Sequence, residues 1–231
     1  MYNRELYLYE EIMLLAFKDN EGTIPFGTMY NFAVSGAFMA ELLLTERIKV
    51  DPSDKKKLAK PVDKKKFGDP LLDECLESIF DSRKERRMQI WVSKFANMSK
   101  LKHRTAKQLC RRGILRMKEE DVLLIFKRKV YPEVNPGPER ELKNRLREAI
   151  FTDKQDLDPR TTVVLALADK TGLLKVNFDK KKLKQSKKRI KKICNGEVTA
   201  QATQEAIQAM QAAIAAATTA ASVAATAGAT N

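Results

Sequence analysis

The stretch TMYNFAVSGAFMAELLLTERIKV, Thr28–Val50, decides the fold. From Met29 to Leu44 its apolar side chains fall on nearly every side of a 3.6-residue period. A helix of that kind is buried in the middle of a domain, not laid on its surface. Gly36 and the small residues around it leave room for a neighbouring helix to come close.

Working outward, YEEIMLLAF (residues 9–17) reads as a short helix with Ile12, Leu15 and Ala16 on one face, stopped by the turn residues of KDNEG. The adjacent carboxylates Glu10 and Glu11 point in different directions and are expected to cap or to solubilise. On the other side, DPSDKKKLAKPVDKKKFG (51–68) holds seven lysines and two prolines and reads as a solvated loop or a charged hairpin. DPLLDECLESIF (69–80) has an Asp-Pro start and an amphipathic pattern, and MQIWVSKFA continues as another helix.

The next segment, SKLKHRTAKQLCRRGILRMKEEDVLLIFKRKVYP (99–132), is the one that carries chemistry. Ser99 as N-cap and Gly113 as C′ residue bracket a helix whose buried stripe is Leu101, Thr105, Ala106, Leu109 and Cys110. Lys100, Arg104, Lys107 and Arg111 fall at i, i+4, i+7 and i+11, in one exposed cationic line flanked by His103 and Arg112. Two short strands are expected after it, near 114–117 and 122–126, around a polar turn. Further on, PERELKNRLREAIF (138–151) and DPRTTVVLALADKTGLL (158–174) read as helices. FDKKKLKQSKKRIKKICNG (178–196) reads as one long basic helix with only Leu183, Ile190 and Ile193 turned inward. From Ala206 the chain has no charged side chain; EAIQAMQAAIAAA reads as a last helix and the remainder as a frayed tail. The expected organisation is one domain over 1–205 followed by an Ala/Thr-rich segment, 206–231.

Composition narrows the function. The 231 residues hold 44 Lys and Arg against 30 Asp and Glu, a net charge of +14, which favours a polyanionic partner. No run is long and apolar enough to span a bilayer, and the N-terminal residues carry acids where a signal peptide needs apolar ones, so any membrane contact is expected to be peripheral. The scattered Cys75, Cys110 and Cys194 have no zinc-site spacing and point to reduced thiols in a cytoplasmic setting. A single histidine and the absence of a Gly-rich phosphate loop leave no catalytic constellation, no metal site and no cofactor. This is a binding module. A basic helix followed by a hairpin is also the outline of a winged-helix nucleic-acid reader, although Gln108 is the sole polar reader besides Lys and Arg. A third reading is a lipid-independent scaffold in which the basic helix near 178–193 holds acidic partners.

Taken in order, LYEEIMLLAFKDNEGTIPF, VSGAFMAELLLTERIKV, DPLLDECLESI, AKQLCRRGIL, VLLIFKRKVYPEVNPGPERELKNRLREAI and DPRTTVVLALADKTGLLKVNF resemble the Golgi phosphoprotein 3 family, from about Leu6 to the early 210s. The resemblance implies a mainly α, single globular domain: a buried central helix bundle ringed by amphipathic helices and small β-hairpins. It implies a peripheral membrane protein on the cytosolic face of the Golgi, where the source is eukaryotic. Its implied ligand is the head group of phosphatidylinositol 4-phosphate or a related anionic phospholipid, and its implied role an adaptor or trafficking one that engages the cytoplasmic tails of membrane proteins. On that reading nucleic acid is not the partner. The lipid-phosphate residues are Lys100, Lys102, Arg104, Lys107 and Arg111. The membrane-contact hairpin is Val122, Leu123, Leu124, Ile125 and Phe126, with self-association through 114–126. At the family's pocket positions this chain carries Gly27 in place of a tryptophan and Phe38 in place of an arginine, and of two basic-helix cations it keeps the one at Lys102, the other falling at Ser99.

Overall fold

In the computed structural model, residues 5–18, 20–51, 53, 55–122, 126–198 and 204–228 are described. The fold is mainly α, with eleven helices and five short strands among those residues. The apolar stretch does form a buried helix. α1 (Leu8–Ala16) and α2 (Tyr30–Leu44) lie side by side, with every residue of α1 and residues 32–43 of α2 buried. Around them run α3 (Pro70–Phe80), α4 (Met88–Ala96), α5 (Leu101–Arg111), α6 (Gly137–Phe151) and α7 (Pro159–Lys170), then the short helices α8 (Leu173–Asn177), α9 (Lys180–Gln185) and α10 (Lys187–Cys194). The last helix, α11 (Gln204–Gly228), packs on α2, α4 and α7.

Local chemistry accounts for several helix starts. The Asp69 carboxylate accepts from the Leu71 and Leu72 amides at 3.0 Å each, and Asp158 and Asp179 cap α7 and α9 in the same way. Ser99 does not cap α5. Lys100 takes that position in a left-handed conformation (φ 55°), with no side-chain cap. Gly113 is the left-handed residue past the end, as expected. The lysine-rich stretch is a charged hairpin: β1 (Ile48–Val50) and β2 (Leu58–Pro61) pair antiparallel, and β3 (Arg86–Arg87) extends the sheet.

Four elements differ from the sequence reading. The second hairpin is displaced: its strands are β4 (Lys118–Val122) and β5 (Phe126–Val130), while Ile114 and Leu115 are core residues. The acidic run expected as a turn is instead a strand, because Glu119, Glu120 and Asp121 face Lys129, Arg128 and Lys127 across the ladder. The long basic helix is two, separated by Ser186 (φ −86°, ψ 9°), where a weaker helix former sits among mutually repelling lysines. The apolar helix from Pro159 stops at Lys170, and Gly172 (φ 84°) turns the chain into α8. In α11, Thr218–Gly228 is helical where the residue pattern pointed to fraying, with Ala220 and Ala221 buried.

Gly36 is the closest approach in the centre. A Cβ there would lie 2.7 Å from the Leu167 side chain of α7 and 2.9 Å from Ala217 Cβ of α11. Nearby, three buried carboxylates bind distant arginines. Glu10 Oε1 accepts from Arg112 Nε at 2.7 Å, Glu11 Oε1 from Arg145 Nη2 at 2.8 Å, and Glu41 Oε1 from Arg160 Nη1 at 2.8 Å. Glu10 also accepts from the Tyr7 amide, closing the capping box of α1, and Glu41 from the Leu8 amide. The pair Glu10–Glu11 thus caps and ties the core; it does not solubilise. Burial holds both carboxyls above their ordinary range, with the arginines pulling them back down.

Arg160→Ala leaves the buried Glu41 carboxyl group without its guanidinium partner, and is expected to lower stability by about 3–5 kcal/mol in urea unfolding; a loss near zero would mean that Glu41 is solvated. Gly36→Val should cost about 1–3 kcal/mol through overpacking against α11, and an unchanged urea midpoint would show that α11 can move aside.

Candidate anion-binding site

Helix α5 is set on α1 from its far end. Arg112, the residue after α5, reaches Glu10, stacks at 5.9 Å from the Tyr7 ring, and donates to the Glu5 carbonyl. Leu101, Thr105, Ala106 and Leu109 are buried beneath, and the Thr105 hydroxyl donates back to the Leu101 carbonyl. The opposite face of α5 is left to solvent.

The hairpin stands beside that face because of one tight contact. The Tyr131 amide donates to the Gly22 carbonyl, and a Cβ on Gly22 would fall 2.2 Å from the Tyr131 and Pro132 backbone. Only glycine fits there, and its φ of 60° suits no β-branched residue. Tyr131, so held, bonds His103 Nδ1 through its hydroxyl at 2.8 Å. The KDNEG turn, the YP dipeptide and the basic helix are therefore one structural unit.

Between α5 and β5 lies an open groove of about 750 Å³. Lys100, His103, Lys107 and Arg111 line it from α5, and Lys129 and Tyr131 from the hairpin; Met117 adds an exposed apolar side chain. Of the five residues predicted to hold lipid phosphate, Lys100, Lys107 and Arg111 come together here. Arg104 is turned to the other side, in an ion pair with Glu74 of α3, a bond that also raises the Arg104 pKa. Lys102 lies outside the groove lining, half-buried; burial, and then the nearby Arg128, lower its pKa.

Sequence reasoning missed Lys129 and treated His103 as a flanking residue. The signal for Lys129 was the alternation in KRK, which puts Lys127 and Lys129 on the same face of a strand. Of the hairpin residues predicted to touch a membrane, Val122 and Phe126 pair at the end of the ladder, and Leu123, Leu124 and Ile125 lie outside the described residues. Phe38 is fully buried in α2, and Gly27 is exposed in a left-handed turn (φ 82°), directly after the fully exposed Phe26. The Asn31 side chain bonds the Ala96 carbonyl, placing the start of α2 at the end of α4, just before α5. No helix among the described residues is long and apolar enough to cross a membrane, and no cluster of His, Cys, Asp and Glu there could hold a metal ion.

The groove can concentrate an anion. Its electrostatics show in His103, whose pKa is held below the ordinary histidine range, first by burial and then by Lys102, Lys129 and Lys100. By linkage, an anion in the groove would draw a proton onto the imidazole.

Comparison with known proteins gives two findings. Residues 8–210 match the family model described as Golgi phosphoprotein 3 (GPP34). The chain is also 27% identical, over 162 residues, to vacuolar protein sorting-associated protein 74 of Eremothecium gossypii, an alignment covering 61% of this chain and 48% of that protein. The chain thus spans about half the length of this curated relative.

Because this is the chain's single histidine, its titration by NMR is unambiguous. The apparent pKa is expected below 6.5, to rise in Lys129→Gln, and to rise further when phosphatidylglycerol vesicles are added. A value that ignores the Lys129 charge would place that lysine away from the groove.

Proposed function

This chain belongs to the Golgi phosphoprotein 3 family, and on that premise we propose that it is a peripheral membrane protein that binds anionic phospholipid head groups through the α5–hairpin groove and serves an adaptor role in Golgi-associated trafficking. The observation that carries the reading is the convergence of Lys100, Lys107 and Arg111 with Lys129 from the hairpin, around the exposed Met117. Cations gathered around an exposed apolar side chain suit a bilayer surface, where phosphates meet the cations; the apolar residues Val122, Leu123, Leu124, Ile125 and Phe126 are the proposed membrane contact.

The ligand class is phosphatidylinositol 4-phosphate or a related lipid. Phe38 is core and cannot contact a head group, so the cations of the groove carry recognition. Arg104 supports the site from the side, through α3. The cytoplasmic tails of membrane proteins are the proposed clients, and no step of the reading calls for catalysis.

Liposome co-sedimentation tests this with neutral phosphatidylcholine, added phosphatidylserine, and added phosphatidylinositol 4-phosphate, with duplex DNA as competitor. Binding should require anionic lipid and weaken with salt. The Lys100→Gln, Lys107→Gln, Arg111→Gln variant should lose on the order of 100-fold in affinity, about 1 kcal/mol per cation. Equal binding by this variant, or DNA outcompeting the vesicles at physiological salt, would overturn the assignment.

A further inference from the structure

A second large cavity lies far along the chain from the α5 groove. A trough of about 1170 Å³ runs between α11 and the segment α8–α10. That exceeds the range of about 300–1,000 Å³ usual for small-molecule sites. Lys175, Lys180, Lys184, Lys187 and Lys191 form one wall, and none of these five is in an ion pair among the described residues. The one carboxylate lining the trough, Asp169, lies 3.7 Å from its neighbour Lys170. Below the lysines, Leu174, Leu183, Ile190 and Ile214 make an apolar floor.

The facing wall has a different character. From Ala206 onward α11 carries no charged side chain. Gln211, Ala215 and Thr219, spaced four apart, form its exposed ridge, which also borders a second cavity where Lys55 and Arg87 stand. The ridge gives a low, neutral surface that a second helix can approach closely. Gln211 also donates to the Asn195 carbonyl at 2.8 Å and closes one end of the trough. The site is therefore a walled channel with a cationic side, a neutral small-residue side and an apolar floor.

We propose that this channel docks an acidic amphipathic helix from a partner protein. Its small and apolar face would lie on α11 and the floor, and its carboxylates on the α9–α10 lysines. Charge complementarity selects an acidic occupant, and the two-sided wall selects a polypeptide, since a flat bilayer cannot reach Ile190 and Ile214 between the helices. This interaction is separate from the lipid reading of α5 and does not rest on it.

The test uses the full chain and fluorescence anisotropy. The probe is a synthetic helical peptide of about four turns, with Glu on one face and Ala and Leu on the other; a scrambled peptide of equal composition is the control. The amphipathic peptide should bind with a salt-dependent affinity that Lys184→Glu, Lys187→Glu, Lys191→Glu lowers by roughly tenfold or more. Ala215→Trp, which narrows the channel without changing charge, should also weaken it. Lys100→Gln, Lys107→Gln, Arg111→Gln should leave it unchanged. Circular dichroism melts establish that each variant is folded, and Lys187→Gln serves if the triple reversal is not. Equal binding of the scrambled peptide, or indifference to both channel variants, would overturn the proposal. So would loss of phosphatidylglycerol vesicle binding in the triple reversal while peptide binding persists, since that face would then be a bilayer contact.

Discussion

Three carboxylates placed in the interior of α1 and α2 hold the outer helices in place. Glu10, Glu11 and Glu41 sit where water cannot reach them, and each is neutralised by an arginine more than a hundred residues further along: Arg112, Arg145 and Arg160. An unpaired buried carboxylate is costly enough that each of these helices has little freedom to dock elsewhere. The pairs act as locating pins. Arg112 fixes the end of α5, Arg145 fixes α6, and Arg160 reaches both Glu41 and the Leu6 carbonyl at 2.7 Å, so that α7, α2 and the entry to α1 meet at one point. The apolar core supplies the main driving force. The ion pairs give it direction.

The same device sorts the cations. Arginine, with its planar fork, serves the buried and half-buried partners: Arg47 on Asp63, Arg104 on Glu74, and Arg189 on the carbonyls of Ala149 and Lys154. Lysine, joined by Arg111 on α5, lines the open faces of α5 and α9–α10, where a hydrated, mobile ammonium suits a partner that comes and goes. The high positive charge is therefore structured. Arg47, Arg104, Arg112, Arg145, Arg160 and Arg189 hold the fold, and most lysines are offered to solvent.

Local signals made much of this legible. The all-round apolar pattern of Met29–Leu44 gave the central helix, and Asp69 and Asp158 marked two helix starts, because capping and periodicity act within a few residues. Glu10 and Glu11 could be read only in part: capping is local and was expected, but nothing near them reveals that their partners are 102 and 134 residues away. The hairpin register was lost for a related reason: KEED looks like a turn until KRK is aligned opposite it. In the site, the cationic line of α5 was visible by spacing, but the ion pair that turns Arg104 toward α3, and the addition of Lys129, depend on neighbours that only the folded chain brings together.

The two cationic faces rest on separate supports. The α5 groove depends on Arg112 and Glu10 at one end and on the Gly22–Tyr131 contact at the other. The α9–α10 wall depends on Arg189, which bonds the end of α6, and on Ile190 and Ile193 in the core. The two sets of supports share no residue, so a change at one face has no direct route to strain the other. Charge removal on α5 and on α10 should therefore act independently, as expected for distant sites without a common partner. A fold built this way presents two cationic surfaces and can alter either without disturbing the core between them.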